Sequence, residues 1–112
     1  MCGGNADPTV FYSVNTQLMA KLWSAPSPMA MGTGLLNVLD VDSAVTSASD
    51  PFAAAKVGFA TLKASTAAAA VSAGATDGGA SAVVQAYHGS LVPPFCTVAA
   101  RGFFQQVLAA GL

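Results

Sequence analysis

The chain has 112 residues, enough for a single domain (1–112) with one modest hydrophobic core. Only 8% of its residues are charged, the net charge is −1, and the four basic residues are dispersed, so the sequence offers no basic surface for binding nucleic acid. A membrane-spanning helix needs about 20 mostly apolar residues without charge. Every charge-free segment of comparable length is interrupted by proline and glycine, so we expect no transmembrane span.

The scarcity of charge also bears on the surface of the folded protein. Ordinary globular proteins have about 25% charged residues, and a folded monomer of this mass exposes on the order of 5,600 Å². Four basic and five acidic residues cannot cover such a surface as charges do in a typical soluble monomer. We therefore expect part of the surface to contact other protein subunits, in a homo- or hetero-oligomer.

The N-terminal segment and the cysteines bear on the compartment. Met1–Asp7 has no basic region and no apolar run after it, so the sequence shows no secretory signal peptide. Cys2 and Cys96 allow one disulfide at most, and we expect two free thiols, with Cys96 acting as a small buried apolar residue. These features favour a reducing compartment or a place within a particle. Two cysteines and the single histidine, His88, do not match the spacing of a zinc site, and we predict no metal or cofactor.

The first predicted helix runs from Pro8 to about Ser24. Asp7 can cap it, and Pro8 suits the first helical position. Its apolar residues form a wide arc, which is typical of a helix that contacts more than one neighbouring element. The arc consists of Phe11, Tyr12, Val14, Leu18, Met19, Leu22 and Trp23. We interpret Trp23 as a core or interface anchor rather than as a platform for stacking a base or a pigment.

The segment that follows gives a mixed pattern. Prolines and glycines make Ser24–Gly34 a loop. Leu35–Ser49 fits either a strand or a short helix, and its helical neighbours favour the helix. Within it, Asp40 and Asp42 form an Asp-x-Asp pair, which holds a divalent metal at the end of a strand in glycosyltransferase-like sites. A lone pair of this kind is a weak signal in so short a chain, so we expect both to be solvated carboxylates of a turn or helix.

A long alanine-rich helix is predicted from Asp50 to Gly74. Asp50 can cap it, Pro51 suits its first position, and Gly74 ends it. Apolar residues recur along one stripe at spacings of three and four, as in helices that pack against partner helices. The stripe consists of Phe52, Ala55, Phe59, Leu62, Thr66 and Ala69. Gly58 lies on a second face of small residues, which predicts a close approach of another backbone there.

Two apolar segments with helical spacing follow in the C-terminal third. Ser81–Leu91 predicts a helix or, alternatively, a strand, and Thr97–Ala110 predicts the last helix. Between them, Pro93-Pro94 predicts an extended break. His88 follows Tyr87 and could serve as a general base or as an axial ligand of a tetrapyrrole. No acidic residue has a sequence relation to it that suggests a catalytic dyad, so we interpret it as a structural histidine.

These elements predict a mostly α fold, a small bundle of four or five helices around the long alanine-rich helix at about 51–73. The composition favours a non-catalytic structural or accessory subunit of a larger assembly, such as a capsid-associated, filament or large-complex subunit. The first alternative is a small helical binder of an apolar ligand or pigment, with contacts from His88, Tyr87 or Trp23. The second and less favoured alternative is a compact enzyme that uses Asp40, Asp42 or His88. The candidates for subunit contacts are Trp23, Phe52, Gly58, Phe59, Phe103 and Phe104.

Overall fold

The computed structural model describes residues 1–32 and 34–111. Three helices account for about half of this part of the chain. They are the first helix, Thr16–Trp23, the second helix, Ala53–Ser72, and a C-terminal helix over 80–109. The expected bundle of four or five helices around a long central helix is therefore wrong, although the fold is mostly helical. Among the residues described, no helix combines the length and the apolar character needed to cross a bilayer.

The second helix forms where local signals predicted it. The Asp50 carboxylate accepts a hydrogen bond from the Phe52 amide at 2.8 Å and binds the Lys56 ammonium at 2.6 Å, just before the helix begins. Beyond the other end lies Gly74, whose φ of 101° is a conformation that favours glycine. The first part of the predicted apolar stripe packs in or against the core, where Phe59 is fully buried, whereas Ala69 near the end of the helix is exposed.

The C-terminal helix joins two predicted helices through the proline pair. It comprises Ala80–Ala86, a π-helical turn at Tyr87–Leu91, and Val92–Ala109. The break expected at Pro93-Pro94 is wrong because the wider π turn directly precedes the prolines. The Val92 amide donates to the carbonyl five residues back, that of Tyr87. This wider spacing relieves the clash between the proline rings and the carbonyls of the preceding turn.

The first helix has only eight residues and is much shorter than expected. Asp7 does cap a turn, accepting hydrogen bonds from the Thr9 and Val10 amides at 2.8 and 3.0 Å, but this turn does not continue as a helix. The Asn15 side chain donates to the Phe11 carbonyl at 2.9 Å, and the Asn15 backbone has φ −115° and ψ −86°, outside the helical region. The Phe11 carbonyl also accepts the Asn15 amide at 3.1 Å, but the Gln17 amide donates to the Tyr12 carbonyl five residues back, so the chain before Thr16 turns without forming a regular α-helix.

The helix expected within Leu35–Ser49 is also wrong, since this segment contains a strand and otherwise turns and irregular chain. Leu39–Asp40 pairs in parallel with Cys2–Gly3. Amides in and beside the strand donate to carbonyls of the N-terminal segment at 2.9 Å. The expectation failed because it weighed only the flanking segments, whereas the hydrogen-bond partners come from the distant N-terminal segment.

A disulfide joins Cys2 to Cys96, so the expectation of two free thiols is wrong. Their Cα atoms lie 5.5 Å apart although 94 residues separate them in sequence. The N-terminal strand lies beside the C-terminal helix, and both cysteines pack against the core. Because disulfides persist in oxidising surroundings, the pairing removes the argument for a reducing compartment.

The hydrophobic core lies between the second helix, the C-terminal helix and the strand pair. Phe59 and Val41 are fully buried at its centre. The Phe59 ring makes edge-to-face contacts with Tyr87 and Phe95, with ring centroids 5.4 and 6.2 Å apart. Gly58 lies against Phe95, where an added Cβ atom would approach the ring too closely. The group that approaches this glycine is thus an aromatic side chain of the same molecule, and not the backbone that was predicted.

Candidate functional site

The π-helical turn Tyr87–Leu91 carries polar residues that meet the N-terminal segment. Such turns occur as single-turn insertions in α-helices and are frequent at functional sites. Tyr87 is only 2% exposed, whereas the neighbouring His88 side chain is about half exposed. The turn thus directs two consecutive side chains into different environments.

The Tyr87 hydroxyl is fixed by two hydrogen bonds. It donates to Oδ2 of Asp42 at 2.6 Å and accepts from the Ala6 amide at 3.2 Å. Gly4 makes room for it, since an added Cβ atom there would overlap the phenol. Burial, and then the hydrogen bond to Asp42, raise the pKa of Tyr87 well above its ordinary value of 10.0. The phenol therefore stays protonated at physiological pH and serves as a fixed hydrogen-bond donor.

The Asp-x-Asp pair belongs to the same network. Asp42 accepts the Tyr87 hydrogen bond and also forms an ion pair with Lys63. Asp40 accepts from the Asn5 backbone amide at 3.1 Å and from the Asn5 side chain at 2.9 Å. Both carboxylates are bonded to protein donors, which corrects the expectation of solvated carboxylates. In the ranges 1–32 and 34–111, no three metal-binding side chains converge on one point.

His88 has an acidic partner that its sequence neighbourhood does not reveal. Its Nδ1 atom lies 2.6 Å from Oδ2 of Asp7, a residue 81 positions away. Burial raises the pKa of Asp7, but hydrogen bonds from Val10, His88 and Thr9 outweigh this effect and hold that pKa below its ordinary value of 3.8. Asp7 is therefore ionised at neutral pH and orients the imidazole.

An aspartate–histidine pair also occurs in catalytic triads, where the second imidazole nitrogen contacts a serine or cysteine nucleophile. Within the described part of the chain, the one side-chain hydrogen bond of His88 is to Asp7. Both cysteines are joined in the disulfide. The contact between Asp7 and His88 ties the N-terminal segment to the C-terminal helix.

The remaining candidate residues lie elsewhere. Trp23 ends the first helix, where its carbonyl accepts a hydrogen bond from the Met31 amide at 2.8 Å. Gly58 and Phe59 lie in the contact between the second and C-terminal helices. Beside the disulfide, an apolar pocket of about 190 Å³ is lined in part by Phe52, Phe103 and Phe104. Half of the six residues proposed for subunit contacts therefore share one surface pocket.

Two residues of the network are not identified by the sequence pattern. Asp7 is visible only as a helix-start signal, because its bond to His88 spans 81 residues. Asn5 lies in a glycine-rich segment without periodicity. A pairing of Cys2 with Cys96 is the signal that would place both residues near the C-terminal helix.

Comparisons with known proteins leave the function open. No protein-family model matches the chain, and neither the curated proteins nor the solved structures that were searched show significant similarity to it. Its function must therefore be inferred from composition, surface and geometry.

Proposed function

We propose that this protein is a non-catalytic subunit that packs within a larger protein assembly. Its surface carries large apolar side chains of the kind that proteins usually bury. Phe104, Val98 and Leu108 are 63, 67 and 78% exposed. Because isolated apolar residues are normal on a protein surface, the support comes from those that adjoin one another on a helix.

The first helix is the observation that carries the proposal. None of its residues is buried. Val14, just before the helix, and Leu18 and Leu22 within it follow one another at intervals of four and are 60, 48 and 38% exposed. At this spacing Leu18 and Leu22, the two that lie within the helix, share one face. A helix this short gains little stability from propensity alone, so a partner packed on that face would stabilise it.

The dimensions of the molecule support the same function. Its radius of gyration is 16.0 Å, against about 13 Å for a compact chain of about 100 residues. It exposes 6866 Å², against on the order of 5,600 Å² for a monomer of this mass. An elongated shape leaves more surface for contacts with neighbouring subunits.

Four of the nine charged side chains form ion pairs with one another within the molecule. Among the described residues, Asp50 pairs with Lys56 and Asp42 pairs with Lys63. Asp7 forms a third ion pair, with His88, when the histidine is protonated. Charges paired in this way contribute less to repulsion between copies. Apolar surfaces can then approach one another with little electrostatic opposition.

Sedimentation velocity of the full chain, with its disulfide intact, tests the proposal. We expect association that increases with concentration at neutral pH. Leu18→Gln combined with Leu22→Gln should shift the distribution towards monomer. Lys21→Gln, an exposed change on the same helix, is the matched control and should leave the distribution unchanged. A uniform monomer at high concentration, or equal behaviour of the two variants, would contradict the proposal.

The pocket beside the disulfide favours a second candidate function, the binding of a small apolar ligand. The pocket measures about 190 Å³, and most of its lining is apolar, including Leu39, Phe52, Ala99 and Phe103. Dry apolar cavities of about 150 Å³ bind benzene-sized molecules, so a single-ring ligand would fit. The contacts that the sequence suggested for such a ligand, His88, Tyr87 and Trp23, do not line it.

An absorption spectrum of the native protein tests for a bound pigment, and an NMR titration with toluene tests for a colourless ligand. Ala99→Phe would fill the pocket and should abolish the shifts caused by toluene. The same change at Ala64, which is exposed on the second helix, should preserve them. Identical toluene shifts in both variants would exclude the pocket as the binding site.

A further inference from the structure

A second cleft, the Asp40 cleft, lies between the turn before the first helix and the N-terminal segment. Its volume is about 370 Å³, which falls within the range of small-molecule sites. The residues that line it are Asn5, Phe11, Tyr12, Ser13, Gln17 and Asp40. The cleft thus combines one carboxylate, two aromatic rings and several neutral polar groups.

Asp40 gives this cleft a negative charge. Its Oδ1 atom accepts hydrogen bonds from the backbone amides of Asn5 and Asp42 at 3.1 and 3.0 Å, and its Oδ2 atom accepts one from Asn5 Nδ2 at 2.9 Å. These neutral donors fix the carboxylate but leave its charge in place. All three ion pairs found in residues 1–32 and 34–111 involve other aspartates. Each carboxylate oxygen has two lone pairs, so Oδ2 keeps capacity for a ligand.

Hydrogen bonds fix the backbone that carries the two aromatic rings. Tyr12 packs on Gly3, where an added Cβ atom would lie 3.2 Å from Tyr12 Cδ2. The carbonyls of Phe11 and Tyr12 accept backbone hydrogen bonds at 3.1 and 2.9 Å, which fix the turn that carries both rings. Phe11 is 59% exposed, so its ring is accessible. Burial, and then the charge of Asp40, raise the pKa of Tyr12, which keeps its phenol neutral.

We infer that the Asp40 cleft binds the quaternary or methylated ammonium group of a small organic molecule. Such a group carries a diffuse positive charge on an apolar surface, so a carboxylate and the faces of aromatic rings both attract it. Among the described residues no three acidic, histidine or cysteine side chains meet here to hold a metal ion, and a metal ion would gain little from the two aromatic rings. An anion would be repelled by Asp40. The cleft matches an ammonium group in charge and in its two aromatic rings.

Choline and its uncharged carbon analogue 3,3-dimethyl-1-butanol test the inference, because they have nearly the same shape and differ in charge. In an NMR titration of the full chain, choline should shift the resonances of the cleft at millimolar concentration, and the alcohol should not. The choline affinity should fall as salt increases, because the attraction is partly electrostatic. Equal shifts by both compounds, or shifts by glucose and not by choline, would overturn the inference.

Phe11→Ala removes an exposed ring of the cleft without opening the core. It should weaken choline binding about two- to fivefold, the effect of one cation–π contact at an exposed site. Phe104→Ala is the matched control, since it removes a ring of similar exposure outside the cleft. Equal choline affinities for these two variants would contradict the role of the aromatic ring.

Asp40→Asn removes the charge and should reduce choline affinity about tenfold, because the Coulombic attraction between the carboxylate and the ammonium is lost. The matched control is Asp77→Asn, because the Asp77 carboxylate also accepts backbone amide hydrogen bonds, from Gly79 and Ser81 at 2.9 and 2.8 Å, and lies outside the cleft. If Asp40→Asn disturbs the fold of the N-terminal segment, the inference is tested by the comparison of Phe11→Ala with Phe104→Ala instead. Unchanged affinity in a folded Asp40→Asn variant would refute the inference.

Discussion

Removal of the Cys2–Cys96 disulfide should lower the free energy of unfolding by a large amount. The bond closes a loop between cysteines 94 positions apart. In the chain-entropy model, a loop of about 100 residues contributes about 4.7 kcal/mol, and measured contributions are typically about 2–4 kcal/mol. Since domains of this size unfold with about 5–15 kcal/mol, the bond supplies a substantial part of the total.

Thermal unfolding of Cys2→Ser/Cys96→Ser, compared with the unaltered protein, measures this contribution. A loss of about 2–4 kcal/mol corresponds to a Tm lower by about 10–30 °C in a domain of about 100 residues. Reductant supplies the control, because it should lower the Tm of the unaltered protein to a similar extent. The double variant, which has no disulfide, should be unaffected by reductant.

A Tm for the double variant within a few degrees of the unaltered protein would refute this reasoning. Two explanations would then remain. The first is that the two thiols are not joined. The second is that the N-terminal segment keeps its strand pairing and its contact between Asp7 and His88 in the unfolded ensemble, so that the disulfide restricts that ensemble little further. Alkylation of free thiols followed by mass spectrometry distinguishes the two cases.

Three further perturbations test the packing and the polar network. Gly58→Leu should lower the Tm because the new side chain would enter the space of the Phe95 ring. Overpacking of this kind costs about 1–3 kcal/mol of stability, which outweighs the gain of about 1 kcal/mol from the better helix propensity of leucine. A higher Tm would show that this contact yields easily. Tyr87→Phe should cost about 1–3 kcal/mol in urea unfolding, because Asp42 loses its buried donor, and an unchanged midpoint would mean that the hydroxyl is dispensable. Asp7→Asn should make the free energy of unfolding depend less on pH in the acidic range. The pKa of Asp7 is lower in the folded than in the unfolded state, so the stability it supplies is present above the unfolded-state pKa and is lost as the pH falls below about 4, through the folded-state pKa. Parallel curves of stability against pH for the two proteins would mean that Asp7 titrates alike in both states.

The second helix was predictable because its signals are local. Asp50 and Gly74 act within one turn of the backbone groups at each end, and the spacing of its apolar residues needs no knowledge of partners. The same kind of signal at Asp7 correctly predicts a capped turn. It does not predict a helix of the right length, because the residues directly after the cap form bends and the Asn15 backbone lies outside the helical region.

The polar network and the course of the C-terminal helix were not predictable from local pattern. The contact of Asp7 with His88 spans 81 residues, and that of Asp42 with Tyr87 spans 45, so no periodicity connects them. The proline pair normally ends a helix, and only the π turn before it permits continuation. The pattern of apolar residues alone does not distinguish such a turn from a break.

The π turn also sets the rotational phase between the two halves of the C-terminal helix. Successive residues of an α-helix are rotated by about 100° about its axis, so one additional residue in a turn rotates everything that follows. Before the turn, the helix directs Val83 to the core, and after it the helix directs Cys96 to the N-terminal segment. A regular α-helix formed by the same residues, without the wider turn, would rotate Cys96 by about 100° away from Cys2. A single residue of the turn therefore decides whether both halves of the helix can meet their partners at once.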